Sequence, residues 1–202
     1  IKMKILVTGN LGYIGPVLSK VIKKELPKCS LIGLDSGFFY QCNTSFSRHG
    51  DTYYDKQVFK DVRDISKDDL ENIDHIIHLA AISNDPMGKE FEKVTNEINQ
   101  ESTIRLAKLA SELKVKSFTF ASSCSMYGFG GEGAKNENDS TNPLTAYAKS
   151  KIGVENALKS QLDQNDMKIT CLRFSTACGS SSRLRLDLVL NDFVASATKY
   201  KL

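Results

Sequence analysis

Short runs of consecutive apolar residues alternate along this chain with longer stretches in which apolar positions recur every three or four residues. The first kind reads as strands buried on both faces, the second as helices with one buried side. Residues 3–8 form the first predicted strand, and a helix over 11–26 stops before Pro27. Residues 31–34 give a second strand, closed by Asp35, and 57–62 a short third one after a polar and aromatic stretch at 36–56. The run IDHIIHLAA (73–81) is a fourth strand. A long helix over 89–114 carries Val94, Ile98, Ile104, Leu106, Leu109 and Leu113 as its apolar positions. SFTFA (117–121) is the fifth strand, and a Gly/Asn/Asp-rich loop covers 128–142. A helix at 144–163, a sixth strand at 168–174 and a last helical stretch at 186–200 complete the order.

Strands alternating with helices imply an α/β protein with a doubly wound parallel sheet. Right-handed crossovers bring the C-terminal ends of such strands to one edge, where ligands bind. With 202 residues, 41% hydrophobic and 25% charged, the composition is that of an ordinary water-soluble domain. No apolar stretch approaches the ~20 residues of a membrane-spanning helix. The net charge of +3 has its signs interspersed, so neither nucleic acid nor a membrane surface is indicated as a partner. The five cysteines (Cys29, Cys42, Cys124, Cys171, Cys178) show no CxxC spacing. They read as reduced thiols of a cytoplasmic protein, with no metal site. Met stands third, and the chain stops at Leu202 within its last helical stretch, which reads as part of a longer protein.

The first strand runs directly into TGNLGYIG (8–15), a G-x-x-G-x-x-G pattern followed by a helix. Glycines let backbone N–H groups approach a pyrophosphate, and the helix N-terminus faces it with positive charge. Gly9, Leu11, Gly12, Tyr13, Ile14 and Gly15 are therefore candidate cofactor contacts. Asp35 stands 20 positions after Gly15 at the end of the second strand. A carboxylate there accepts from ribose hydroxyls and repels a 2′-phosphate, which favours NAD over NADP; the alternative is an Asp that only opens a turn. Asp61 could accept from the adenine amino group with Val62 against the ring, or be a solvated loop acid. Leu79, Ala80 and Ala81 could let the backbone approach the cofactor, or be ordinary strand filling. His78, in an apolar strand, reads as a packed core histidine.

Tyr147 and Lys151 are four apart at the start of a helix and so share a face. A tyrosine loses its proton near pH ~10 in water. A nearby ammonium and a cationic nicotinamide ring lower that value, which suits acid–base work near neutrality. Ser123 at the end of the fifth strand could hydrogen-bond the same substrate oxygen. Y-x-x-x-K also arises by chance in helices; its meaning here comes from the glycine pattern and strand-end acid upstream. Asn99 lies mid-helix, where Asn is unfavourable, and either performs a local hydrogen-bonding task or is a surface residue.

The set TGNLGYIG (8–15), Asp35, DVRD (61–64), HLAA (78–81), Asn99, SSCSMYG (122–128), YAKSK (147–151) and LRF (172–174) resembles the extended short-chain dehydrogenase/reductases, in particular the NAD-dependent nucleotide-sugar epimerase/dehydratase branch. The resemblance implies a Rossmann fold with tightly held NAD. It makes Tyr147 the catalytic base, Lys151 the group that lowers its pKa and binds the nicotinamide ribose, and Ser123 the third catalytic group. It adds Asn99 and Phe174 to the cofactor-binding set, and a homodimer built from helices 89–114 and 144–163. Where sugar 4,6-dehydratases carry an Asp-Glu pair, this chain has Cys124 and Ser125, which points away from dehydration and toward epimerisation through a transient keto-sugar. SNDPMG (83–88) and 179–195 resemble a subgroup described only as NAD-dependent epimerase. The alternatives are a net NAD(P)-dependent oxidoreductase on a sugar or other carbonyl compound and a non-catalytic NAD-binding protein. Family members continue for roughly a further hundred residues. The chain is thus expected to hold the NAD-binding domain at 1–178 and, at 179–202, only the start of the C-terminal substrate subdomain.

Overall fold

The structure is a computed structural model that describes residues 2–44, 53–83, 90–129, 133–162 and 166–201. The SNDPMG segment beyond Ser83, the expected helix ends at 89 and 163, parts of the loops at 36–56 and 128–142, and Leu202 lie outside the described residues.

The elements follow the order β1 (Lys4–Thr8), α1 (Gly15–Glu25), β2 (Ser30–Asp35), β3 (Lys56–Phe59), β4 (His75–His78), α2 (Glu92–Asn96), α3 (Ser102–Glu112), β5 (Ser117–Ser123), α4 (Ala146–Leu162), β6 (Lys168–Phe174) and α5 (Val189–Tyr200). The six strands form one sheet in the order β3-β2-β1-β4-β5-β6, and every pairing is parallel. The strand order reverses between β1 and β4, so a crevice opens at their C-terminal ends, directly beyond Thr8 and His78. Apolar side chains alternate to the two faces. Leu6, Leu34, Ile76, Phe118 and Phe120 pack with Leu106, Ala107 and Ala110 of α3 and Val154 and Leu158 of α4. Ile5, Val7 and Leu31 pack on the other face with Ile22 of α1. This is the doubly wound sheet the apolar pattern implies.

Several boundaries differ from the sequence reading: the fourth strand covers only His75–His78 of the expected 73–81, the fifth runs on to Ser123, and the last helix starts at Val189. Helix α1 starts at Gly15, because 11–14 belong to the glycine turn. Strand β3 ends at Phe59, and Val62–Asp64 turn into a 3-10 helix capped by the Asp61 side chain. Between α2 and α3 the chain makes a π-helical turn, Glu97–Glu101. The buried side of this helical stretch is only partly the apolar stripe expected: Leu106 is in the core and Ile98, Ile104 and Leu109 pack against it. Thr95, Asn99, Ser102, Thr103, Leu106, Ala107 and Ala110 are buried, while Val94 is half-buried and Leu113 exposed. Small side chains let the helix approach the sheet and α4 closely, so burial follows size rather than hydrophobicity alone.

Candidate active site

Thr8 ends β1, and Gly9 turns the chain with φ of +70°, a conformation that favours glycine. A Cβ on Gly9 would lie 2.5 Å from the Ala80 nitrogen, so the turn sits directly on the Leu79–Ala80 backbone. Small residues after β4 thus allow a close approach, here between two protein segments. Gly9 N–H donates to the Leu34 carbonyl at 2.8 Å, and Leu11 N–H donates to Asp35 Oδ2 at 3.1 Å. Asp35 also accepts from Gly37 N–H at 2.9 Å. Burial raises the Asp35 pKa, and the two N–H donors oppose the rise. Tyr54 donates to the Gly15 carbonyl at 3.2 Å. Burial and the Asp35 charge push its phenol well above the usual tyrosine range.

Helix α1 opens with Ile14 at its N-cap, without a side-chain cap or an acidic residue in its first turn. Its positive end is therefore left open beside the glycine turn. A helix start without a cap, glycines packed on backbone, and a half-buried carboxylate at the β2 tip fit a dinucleotide. Its pyrophosphate would face the 11–15 turn and its adenosine ribose Asp35. Asp61 and Val62, expected on the adenine side, both have partners within the protein. The Asp61 carboxylate already holds Arg63, through Nη2 at 2.8 Å, Nε at 3.1 Å and the backbone N–H at 2.8 Å. The Arg63 guanidinium holds its carboxyl below the usual range. Val62 is buried in the core beneath the β-sheet edge.

A buried polar chain runs beneath the crevice. Thr8 Oγ1 lies 2.6 Å from His78 Nδ1, and His78 Nε2 lies 2.8 Å from Thr103 Oγ1. Thr103 donates its one hydroxyl proton to the Asn99 carbonyl at 2.8 Å. His78 Nε2 must then donate and Nδ1 accept, which fixes the neutral Nε2–H tautomer. Burial, with the Lys151 charge as a second cause, pushes the His78 pKa down to about 3. His78 stacks on Phe118 and Phe120 and is a core histidine, as the sequence reading has it. Asn99 sits in the π-turn and bonds both backbone groups of Ile82, donating to its carbonyl at 2.9 Å and accepting from its N–H at 2.8 Å. Of the two readings of Asn99, the structure has the local hydrogen-bonding task. The Thr103 hydroxyl bonds the Asn99 carbonyl four residues back, a bond helix threonines commonly make.

Helix α4 carries Tyr147 and Lys151 one turn apart, and the Lys151 amine lies 5.4 Å from the centre of the Tyr147 ring. The lysine side chain is only 2% exposed. Its amine donates to the Ala121 carbonyl at 2.7 Å and lies 4.7 Å above the Phe120 ring. Burial pulls the Lys151 pKa down to about 7. The helix is thereby tied to β5 two residues before Ser123, whose hydroxyl accepts from Ser125 N–H at 3.2 Å. Phe174 pairs with Ser123 across the β5–β6 ladder and is partly exposed. The sheet and α4 thus bring Ser123, Tyr147, Lys151 and Phe174 to one side of the crevice; the glycine turn and Asp35 lie across it beyond β1 and β2, and Leu79–Ala81 follow β4 between them.

Several structural partners of this site escape the local sequence pattern. Glu155, one turn beyond Lys151, accepts from Arg173 at 2.7 and 3.1 Å and from Ser122 Oγ at 2.5 Å. Arg173 also donates to Tyr127 OH at 2.7 Å. A charged residue between Leu172 and Phe174 is the one local sign of this pairing. The 179–191 segment is fastened to the glycine turn: Tyr13 OH donates to the Gly179 carbonyl at 2.6 Å, Ser181 Oγ to the Tyr13 carbonyl at 2.6 Å, and Asn191 Nδ2 to Tyr13 OH at 3.0 Å.

A family model described as NAD dependent epimerase/dehydratase matches residues 5–199. The chain belongs to the NAD dependent epimerase/dehydratase family. It is similar to an uncharacterized UDP-glucose epimerase, YtcB, of Bacillus subtilis (strain 168), at 31% identity over 191 residues, which is 90% of this chain and 58% of that protein. Among solved structures it resembles a UDP-glucuronic acid 4-epimerase from Bacillus cereus in complex with NAD, with a TM-score of 0.78 and 25% identity over 98% of this chain and 64% of that one. The fold also matches TunA, an NAD-dependent NDP-hexosamine 5,6-dehydratase, at a TM-score of 0.83 and 23% identity, covering 98% of this chain and 62% of that one. The chain spans less than two thirds of each of these epimerase/dehydratase relatives. Its five cysteines are free, no described group of His, Cys, Asp and Glu could hold a metal, and no described helix is long and apolar enough to cross a membrane.

Proposed function

We propose that this chain is the NAD-binding and catalytic part of a nucleotide-sugar epimerase. The observation that carries the reading is the buried Lys151 amine beside Tyr147, tied through Ala121 to the strand that ends in Ser123. NAD, when bound, supplies reversible two-electron oxidation of a sugar carbon. Gly9, Leu11, Gly12, Tyr13, Ile14 and Gly15 would receive its pyrophosphate, Asp35 its adenosine ribose, and Leu79–Ala81 and Phe174 its flanks, with Asn99 holding the Ile82 backbone at the rim. Tyr147 takes the proton of a sugar hydroxyl as the carbonyl forms and returns it afterwards. The Lys151 ammonium favours the phenolate, and Ser123 donates to the same oxygen. The epimer would follow if the transient ketone presented its opposite face for re-reduction by the same two electrons, the proton returning to oxygen.

Epimerisation is preferred to dehydration because positions 124 and 125 carry no acid. Cys124 Sγ instead points at the Arg173 carbonyl (3.1 Å), and Ser125 donates its N–H to Ser123. The B. cereus relative's complex with NAD and the name of the B. subtilis relative support the same reading. The test is to incubate full-length protein with UDP-, GDP-, CDP- and dTDP-sugars and follow the products by NMR. A new sugar isomer without net NADH consumption is expected, and Tyr147→Phe should abolish it while NAD stays bound. Stoichiometric loss of NADH would make the protein a reductase. An unsaturated or deoxy product would make it a dehydratase, and equal turnover by Tyr147→Phe would remove the catalytic assignment.

A further inference from the structure

The side chain of Asn10, inside the glycine turn, points away from the crevice and is completely buried. Its Nδ2 donates to Gln57 Oε1 at 2.7 Å, and Gln57 Nε2 donates back to Asn10 Oδ1 at 3.2 Å and to the Val58 carbonyl at 3.1 Å. A reciprocal pair of amides fixes both planes, since each supplies the donor the other lacks. Gln57 lies on β3, opposite Gly33 of β2, and Gly33 lies opposite Val7 of β1. The Asn10 amide therefore reaches across the whole width of β2. It can do so because position 33 has no side chain: a Cβ there would lie 2.3 Å from Asn10 Nδ2. The Asn10 backbone is held equally closely, for a Cβ on Gly15 would lie 1.9 Å from its carbonyl oxygen.

We propose that Asn10 and Gln57 are positioning residues for the phosphate end of the cofactor site. This inference rests on the NAD reading above and adds residues outside the glycine pattern. Locking the Asn10 side chain to β3 fixes the two peptide planes on either side of it. Those planes set the course of the 11–15 turn: the Leu11 N–H donates to Asp35 Oδ2 and the Gly12 N–H to the Gly9 carbonyl, both at 3.1 Å. The pair touches no part of a bound dinucleotide; it acts through the backbone it holds. It therefore bears mainly on the phosphate-bearing part of a ligand, and on the adenosine ribose only through the Leu11–Asp35 bond.

The experiment compares NAD, ADP and adenosine binding to wild type, Asn10→Ala, Gln57→Ala, the double variant and Gly33→Ala by calorimetry and ligand-observed NMR. Each single variant at 10 or 57 should lose about tenfold in NAD and ADP affinity, the worth of one good hydrogen bond, and the double variant no more than the worse single. Adenosine affinity should fall by clearly less, because only the Leu11–Asp35 bond connects the pair to the ribose. Gly33→Ala should show the same selective loss, and adding Asn10→Ala to it should cause no further loss. Gln57 is half-buried on an edge strand, so Gln57→Ala keeps the test available where Asn10→Ala misfolds. Unchanged NAD affinity in Gln57→Ala overturns the inference, as does an equal loss for adenosine and NAD, which marks a general loosening. A folded wild type that binds no NAD overturns the cofactor reading and this inference together.

Discussion

Lys151 shows what one side chain is made to do. An amine with unperturbed pKa near ~10.4 is held at 2% exposure, and its folded-state value falls to about 7. Between those values the unfolded chain binds the proton and the folded chain does not, so stability from this group rises with pH from about 7 to about 10. In urea titrations of the ligand-free protein, wild type should gain on Lys151→Met across that window. A constant difference would mean that the amine is not desolvated. At this scale the sequence was partly legible. Tyr147 and Lys151 announce themselves because both lie on one helix, where spacing alone puts them on one face. Asn10 does not, since its partner is 47 positions away and no local pattern joins them.

Among the elements, α4 and β6 depend on a pair the local pattern hardly marks. Glu155 and Arg173 have side chains 11% and 17% exposed, and the carboxylate pushes the guanidinium pKa further up. Removing one partner of so buried a pair strands the other charge. Glu155→Ala should therefore cost about 3–5 kcal/mol of unfolding free energy, and Ser122→Ala only about 1 kcal/mol. Denaturant titrations check both values, and equal small losses would show that solvent reaches the pair. The strands were read well from apolar runs, because burial on both faces leaves a continuous signal. The π-turn at Glu97–Glu101 was not, because it is maintained by Thr103 and Ile82, residues a periodicity search does not connect. Its one visible trace was Asn99, a poor helix former at mid-helix.

For the molecule as a whole, the doubly wound sheet follows from element order, and its strand tips carry the glycine turn, Asp35, Leu79–Ala81, Ser123 and Phe174, while Asn99, Tyr147 and Lys151 come from helices. The sequence left open how the 179–191 segment sits. The Tyr13, Ser181 and Asn191 bonds that fasten it to the glycine turn span more than 160 positions. Pairing of two copies through the α2–α3 stretch and α4, which the family resemblance implies, is a further proposal. Sedimentation of the full-length protein should give the mass of two chains; a monomer at all concentrations would refute that pairing. The most direct test of the catalytic reading is a crystal structure of the protein with NAD. The pyrophosphate is expected on the 11–15 turn, the adenosine ribose on Asp35, and the nicotinamide ribose within hydrogen-bond reach of Tyr147 OH and Lys151 Nζ. A cofactor bound elsewhere, or a nicotinamide turned away from Tyr147, would contradict it.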